Sequence, residues 1–559
     1  MDLSLLATID LDLIADPGAR HASRSLLALI EQLVAENHAL RAENQRLKDE
    51  IARLKGEQGQ PRIRPQSRST AQSEPAGSTD YSSEGERRTP QPWRKGSKRD
   101  ALTSTRTERL TVDRATLPAD AQFKGIETVV VQDLTLGRDT ICFEKEVWYS
   151  PSQQRSYQAA LPQGYEGQFG PGLKGLALAL HFGANVTEAK LLDLFRESGV
   201  VVSSGWLSTL LSGDVAGFGA EARAVERAGL ASSPWQHLDD TATRVNGQNE
   251  HCQVLGNELF TAYHTTPKKD RLTVLDVLRG STERTYLLKA EADAALASCG
   301  LSARARQRLA HLPREQDLDT AAFAEWEQAH GTGLGAQQRT QIREALAIAA
   351  YHAQTEWPIV QCLVCDDAPQ FRALTPELAL CWVHEGRHYT KLTAYVPHNR
   401  AALDTFRTQF WEYYRALLTY REGPTAEERA RLVARFEALF TPETGYPALD
   451  ERIALTRAKQ DHLLRVLSHP ELPLHNNPAE LAARRRVRKR DASFGPRSAA
   501  GRTAWDTFHT LAATTQQLGV SFLHYLGDRL TQAQRIPPLA TLITARAGPL
   551  HLGASWAPA

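Results

Sequence analysis

The chain has 559 residues, a formal net charge of +1, 42% hydrophobic residues and 23% charged residues. That balance excludes wholesale disorder and any global attraction to nucleic acid, so a polyanion must be met by local patches. Six sparse cysteines argue against a disulfide framework, the acidic start "MDLSLLATIDLDLIADPG" lacks the basic region of a secretory leader, and the apolar run "GLALALHFG" is too short to span a bilayer. A cytosolic protein of several domains, with no membrane association, is expected.

The first element is a leucine repeat. Leu26, Leu33, Leu40, Leu47 and Leu54 recur every seven residues as d positions, with Ile30, Asn37, Asn44 and Ile51 at a. Asn at a selects a parallel, in-register dimer at a cost in stability. Glu36, Glu43 and Glu50 at g and Arg41, Lys48 and Lys55 at e pair with opposite sign across such a dimer. The segment ahead of the leucines, "DPGARHAS", is not a basic region, so the expected coiled coil serves homodimer assembly rather than DNA reading. Residues 56–100 are rich in Gly, Pro, Ser, Gln and charge without an apolar period, and read as a disordered tether.

Within 101–165 the runs "IETVVVQDL", "TICFEKEVWYS" and "RSYQAALP" predict a small β module. Residues 166–230 predict helices near Pro171–Phe182 and Thr187–Ser198, a turn at Gly199, a cap at Ser203 or Ser204, and a short helix carrying Trp206. That spacing suits a helix-turn-helix with Trp206 at DNA and suits an ordinary helical hairpin equally.

From 231 to 280, "WQHLDDTATRV", "EHCQVLG" and "ELFTAYHTT" are separated by Asn246-Gly247 and Gly256-Asn257, which predicts a three-strand antiparallel meander. Side chains alternate in a strand, so Asp239 and Asp240 point to opposite faces and only one can line a given site. Residues 281–355 and 400–470 are helical in pattern and read as insertions. Between them, in 356–399, "WPIVQCLVCDDAPQF" is a nearly continuous apolar run ending in Asp366-Asp367, the pattern of a buried central strand with acids at its carboxyl end. A metal ligand and a plain Asp-rich turn both fit those acids. Cys362-x2-Cys365 followed by Cys381-x2-His384 has zinc-like spacing, yet a strand would turn Cys362 and Cys365 to opposite sides, which favours small buried apolar roles.

The last region, 471–559, opens on "NNPAELAARRRVRKR". Asn476 or Asn477 can cap, Pro478 suits the first helical turn, and Glu480 is favourable to the helix dipole. Arg484 and Arg488 share its face, so a local ion pair is one reading. A metal-binding acid beside a basic run for phosphates is the other.

Together, "HLDDTATRV", "LVCDDAPQF" with "ALCWVHEGRHYTKL", and "NNPAELAARRRVRKRDASFGPRSAAGRTAWDTFHTLAATTQQLGVSFLHYL" resemble the insertion-sequence 66 family of bacterial DDE transposases, in order and from the zipper to the C-terminus. The resemblance implies an α/β catalytic core, a ribonuclease-H-like mixed sheet with large helical insertions. It places the family's three acids on Asp239, Asp366 and Glu480. The family usually has Glu after the first Asp, where this chain has Asp240. By the same analogy His384 of "CWVH" stands near the site, supporting DNA or an acid. Family members often carry a cysteine zinc module before the core, and with Cys142 alone in that region its zinc is expected to be absent.

The implied chemistry uses two Mg²⁺ or Mn²⁺ ions per site about 3.5–4 Å apart, held by oxygen ligands. Asp239 would bridge the ions, with Asp366 and Glu480 each holding one. Arg484, Arg485, Arg486, Arg488, Lys489 and Arg490 would neutralise phosphates. The expected activity is cleavage and strand transfer at element ends on double-stranded DNA, by a homodimer or higher oligomer, with small accessory proteins as further partners. An inactive, domesticated DNA-binding descendant is the alternative from another class, and a cellular nuclease of ribonuclease-H type would cut without joining.

Overall fold

The computed structural model describes residues 13–54, 107–113, 137–165, 167–213, 217–280, 282–312 and 316–556, with scattered positions between 116 and 134. The tether expected over 56–100 lies outside them.

The leucine repeat folds as one helix, α1 (Pro17–Leu54). Its a/d side is open: Leu26 is 61%, Leu33 55%, Leu40 65% and Leu47 51% exposed. The adjoining stripe, Leu27, Glu31 and Val34, falls at e and b of the same heptads and is buried against the rest of the chain. Leu27 packs on Val396, and enclosing each such aliphatic side chain is worth about 1.5–3 kcal/mol. The Glu31 carboxylate accepts hydrogen bonds from the amides of Tyr395 (2.6 Å) and Val396 and from Asn399 Nδ2.

The expected β module is smaller than its pattern. Among its described residues, β1 (Val147–Ser150) and β2 (Arg155–Gln158) pair, antiparallel. The described positions of 126–134 form no strand, and Ile126, Val129, Val131 and Leu134 are exposed. Two helices follow, Pro171–Leu178, which widens into a π-turn over Ala179–Gly183, and α2 (Glu188–Glu197), capped by Thr187. Then comes α3 (Ser204–Ser212), whose cap is Ser203, its hydroxyl accepting from the Trp206 amide. Leu191, Phe195, Leu207, Leu210 and Leu211 turn these helices into the main core. α4 (Phe218–Ala231) leads to the sheet.

The meander is present as β3 (Trp235–Val245), β4 (Gln248–Gly256) and β5 (Thr261–Thr266). Asn246 and Gly247 have φ of 49° and 77°, the left-handed pair that a two-residue hairpin demands. At the second turn a Cβ on Gly256 would lie 2.4 Å from the Phe260 carbonyl, which only glycine avoids. The region 281–355 is not wholly helical: β6 (Tyr286–Leu288) and β7 (Gln316–Leu318) form a short antiparallel pair within it. Both are three residues long, too short to show a period of two.

The apolar run supplies β8 (Cys362–Cys365), every residue buried, and β9 (Glu377–Leu380) adds a strand that the pattern did not announce. The order is β5-β4-β3-β8-β9, antiparallel through the meander and parallel from β3 onward. After β9 come α5 (Trp382–Lys391), α6 (Pro397–Glu422), further helices through residue 463, then α7 (Asn477–Ser493) and α8 (Ala499–Gln517). α7 lies on β3 and β4 and α8 on β5, closing a second small core of Cys252, Val254, Tyr263, Ala483 and Ala513. The C-terminal segment returns to the start of β3, where Leu552 O accepts from Ser233 and from the Trp235 indole. Among the described residues, no helix is long and apolar enough to cross a membrane.

Candidate active site

Register brings the first two acids together. In the parallel pair, Trp235 faces Cys362 and His237 faces Val364. Continued by two residues, the same register sets Asp366 beside Asp239 on neighbouring strands, which lie about 4.8 Å apart. Across the meander, Asp239 faces Val254, and Val254 faces Tyr263. Directly opposed residues share a face, so Asp239 lies on the side where Val254 and Tyr263 meet α7. Asp240 takes the other side, accepting from Gln370 Nε2 (2.9 Å) and pairing with Lys269 at 3.4 Å.

The third acid comes from the first turn of α7. Asn476 does not cap that helix with its side chain. It pins the helix to β3: its Nδ2 donates to the Leu238 carbonyl (2.8 Å), its Oδ1 lies 2.9 Å from His237 Nδ1, and its amide donates to Cys381 Sγ (3.3 Å). Being fully buried, Asn476 sets the height at which Glu480 meets the sheet. Glu480 does not pair with Arg484 or Arg488. Its Oε2 accepts from Arg387 (3.2 Å), and its Oε1 sits 3.6 Å from His384 Nδ1 without a hydrogen-bond partner.

The acids act on one another. Burial pushes the Asp239 carboxyl up to about 7, a hydrogen bond from the Asp240 amide opposes the rise, and the charges of Asp366 and Glu480 add to it. Asp366 accepts from the Ala368 amide (3.1 Å). Asp367 belongs to a different network, held below the usual carboxylate range because Lys459 and Arg372 outweigh its burial. Burial holds His384 below its ordinary value against the pull of Glu480, with Arg387 aiding the drop and Asp366 opposing it.

The basic run divides. Arg484 and Arg488 are exposed and Arg485 and Arg490 half-buried, with Arg485 donating to Gln516 and Arg490 to the Ala242 carbonyl. Arg486 and Lys489 do not reach solvent. Arg486 is enclosed by Asp506 (3.0 Å), Thr265, His509 and the Trp505 ring. Lys489 donates to the His181 carbonyl (2.6 Å), and burial beside Arg486 pulls it down to about 7. Their expected place at phosphates is corrected by this enclosure: they hold α7 to its neighbours. Trp206 is half-buried with its ring 4.3 Å from Phe169. Arg387 was not singled out in the sequence, although it lies one turn beyond His384 on α5 and shares its face. Asn476 was read only as a cap.

A family model described as "Transposase IS66 family" matches residues 338–504, a span holding Asp366 and Glu480. The uncharacterized protein y4jO of Sinorhizobium fredii (strain NBRC 101917 / NGR234) is 37% identical over 328 residues, covering 57% of this chain and 99% of that protein. The chain belongs to the IS66 transposase family. No solved structure matches it. Membership of the IS66 family places the chain among proteins that act on DNA. Asp366 and Glu480 lie inside the matched region, and Asp239 lies before it.

Proposed function

We propose that this IS66-family chain is an active transposase that cleaves at the 3′ ends of its element and joins them to target DNA, with Asp239, Asp366 and Glu480 as its catalytic acids. The observation that carries this reading is the parallel register of β3 and β8, which aligns two of the acids beneath the helix bearing the third. A ribonuclease-H-like core is part of the proposal, supported by three antiparallel strands extended by two parallel ones.

The residues fit a pair of Mg²⁺ or Mn²⁺ ions. Three carboxylates converge, burial and neighbouring charge raise Asp239, and Glu480 Oε1 is buried without a partner, which is the imbalance that divalent cations relieve. Asp239, Asp366 and Glu480 would hold them. When bound, such ions stabilise charge on the attacking and leaving oxygens of phosphodiester transfer. The chain's own contribution is position: Asn476 fixes the height of Glu480, Arg387 holds its Oε2, and His384 covers its Oε1. Arg484 and Arg488, exposed on the same helix, would meet the phosphate backbone. The open a/d side of α1 would pair with a second copy, so that two element ends are handled together.

The test is an oligonucleotide cleavage and strand-transfer assay on element ends with Mg²⁺ or Mn²⁺. Asp239→Ala, Asp366→Ala and Glu480→Ala should each lower cleavage by about a thousandfold or more while end binding persists. Full strand transfer by the Glu480→Ala protein would reject the assignment.

A further inference from the structure

Glu480 faces the other two acids on one side and a different donor set on the other. Cys381 is the N-cap residue of α5, and His384 lies in its first turn. Cys381 Sγ, a His384 ring nitrogen and a Glu480 oxygen all lie within 4.8 Å of one another. His384 Nδ1 and Glu480 Oε1 stand 3.6 Å apart, both buried and without a hydrogen-bond partner. A tetrahedral centre with bonds of about 2.0–2.3 Å sets its ligand atoms about 3.3–3.8 Å apart. The spacing here needs only a small closure.

We propose that Cys381, His384 and Glu480 form a binding site for a single soft divalent ion of the zinc class. Thiolate and imidazole select such an ion over Mg²⁺, which favours oxygen ligands throughout. Cys362 and Cys365, which share the zinc-like spacing in sequence, are buried within β8 and take no part in this cluster. Arg387 opposes the ion. Arg387 lies 3.0 Å from His384 Nε2 and donates to Glu480 Oε2. Ligation through Nδ1 requires the proton on Nε2, which cannot then accept from a guanidinium. Arg387 must therefore swing away as the ion enters, and it acts as the competitor for the site. Glu480 belongs to both donor sets, so the expectation that a bound zinc-class ion draws it from the catalytic pair rests on the proposed function. The binding itself does not.

The experiment is titration of the full-length protein with Co²⁺, followed by the near-ultraviolet absorption that a cobalt–thiolate bond gives, then displacement by Zn²⁺. One Co²⁺ per chain should produce the band. Cys381→Ser should abolish it, His384→Ala should weaken binding by at least about tenfold, and Arg387→Ala should tighten it. Cys142→Ser, at an exposed cysteine, should leave it unchanged. No band in the unsubstituted protein, or an undiminished band in Cys381→Ser, overturns the site. Should Cys381→Ser not fold by circular dichroism, an unaltered affinity in the partly exposed His384→Ala protein overturns it equally. Cleavage with Mg²⁺ alone, measured separately, reports on the proposed function and leaves this result untouched.

Discussion

α1 and α7 are both helices whose sequences advertise one face, and in each the fold also uses another. In α1 the leucine seam stays open while the e/b stripe of Leu27, Glu31 and Val34 is buried, with Leu27 and Glu31 docking on the start of α6. In α7 the basic run suggests a single surface, yet Arg486 and Lys489 are enclosed while Arg484 and Arg488 face solvent. A row of like residues states that a helix has work on a side; the 3.6-residue turn decides how many sides share it. Glu31 makes the point most plainly. Nothing in its heptad position marks it, yet its carboxylate meets the positive N-terminal end of α6.

The largest expected effect would sharpen the division within α7. Arg486→Ala removes one partner of a buried ion pair and should destabilise the fold by about 3–5 kcal/mol, read by urea denaturation. Arg484→Ala should change stability by no more than about 0.5 kcal/mol; equal losses at both positions would erase the distinction. Next, Glu31→Ala leaves three donors without their acceptor, at about 1–3 kcal/mol, and should raise amide exchange across 395–399 in α6 and its approach. Leu33→Ala with Leu40→Ala should spare that protection but weaken self-association in sedimentation equilibrium. A swap of these outcomes would break the two-face account of α1.

The acid cluster carries a pH signature of intermediate size. A carboxyl raised to about 7, as Asp239 is, keeps its proton below that pH. Divalent-ion affinity measured by calorimetry should therefore rise about tenfold from pH 6 to pH 8 and flatten above. Without the cation, folding stability from this group declines as pH climbs from about 4 to 7, because the folded state holds the proton that the unfolded chain has lost. Asp366→Asn removes one repelling charge and should move the affinity profile to lower pH. Smallest of all, Arg484→Ala and Arg488→Ala should each reduce the slope of log affinity for duplex DNA against log salt by about 0.9.

Where a pattern had length, the sequence could be read. The eleven-residue β3, the Asn246-Gly247 turn and the thirty-eight-residue α1 each carry enough periods to be recognised, and the alternation rule placed Asp239 and Asp240 on opposite faces. β6, β7 and β9 span three or four residues and carry no such signal. The run at 126–134 goes the other way, since its strand-like composition forms no strand at its described positions. Within the site, it is the family resemblance that singles out the three acids, since type and setting alone leave each of them a plain turn, edge or ion-pair reading as well. Arg387 and Asn476 could not be picked out, because their roles exist only between elements distant in the chain.

That distance has a consequence for how the molecule is made. Asn476 clasps Leu238 across 238 positions, and β3 finds its parallel neighbour only after the whole region from 281 to 355 has been synthesised. Contacts of such long range form slowly. On the ribosome, the meander must wait with one flank unpaired while its partners are still being translated. Assembly of the acidic cluster is thus tied to chain completion: a fragment ending before α7 would present two of the three carboxylates and lack the helix that brings the third.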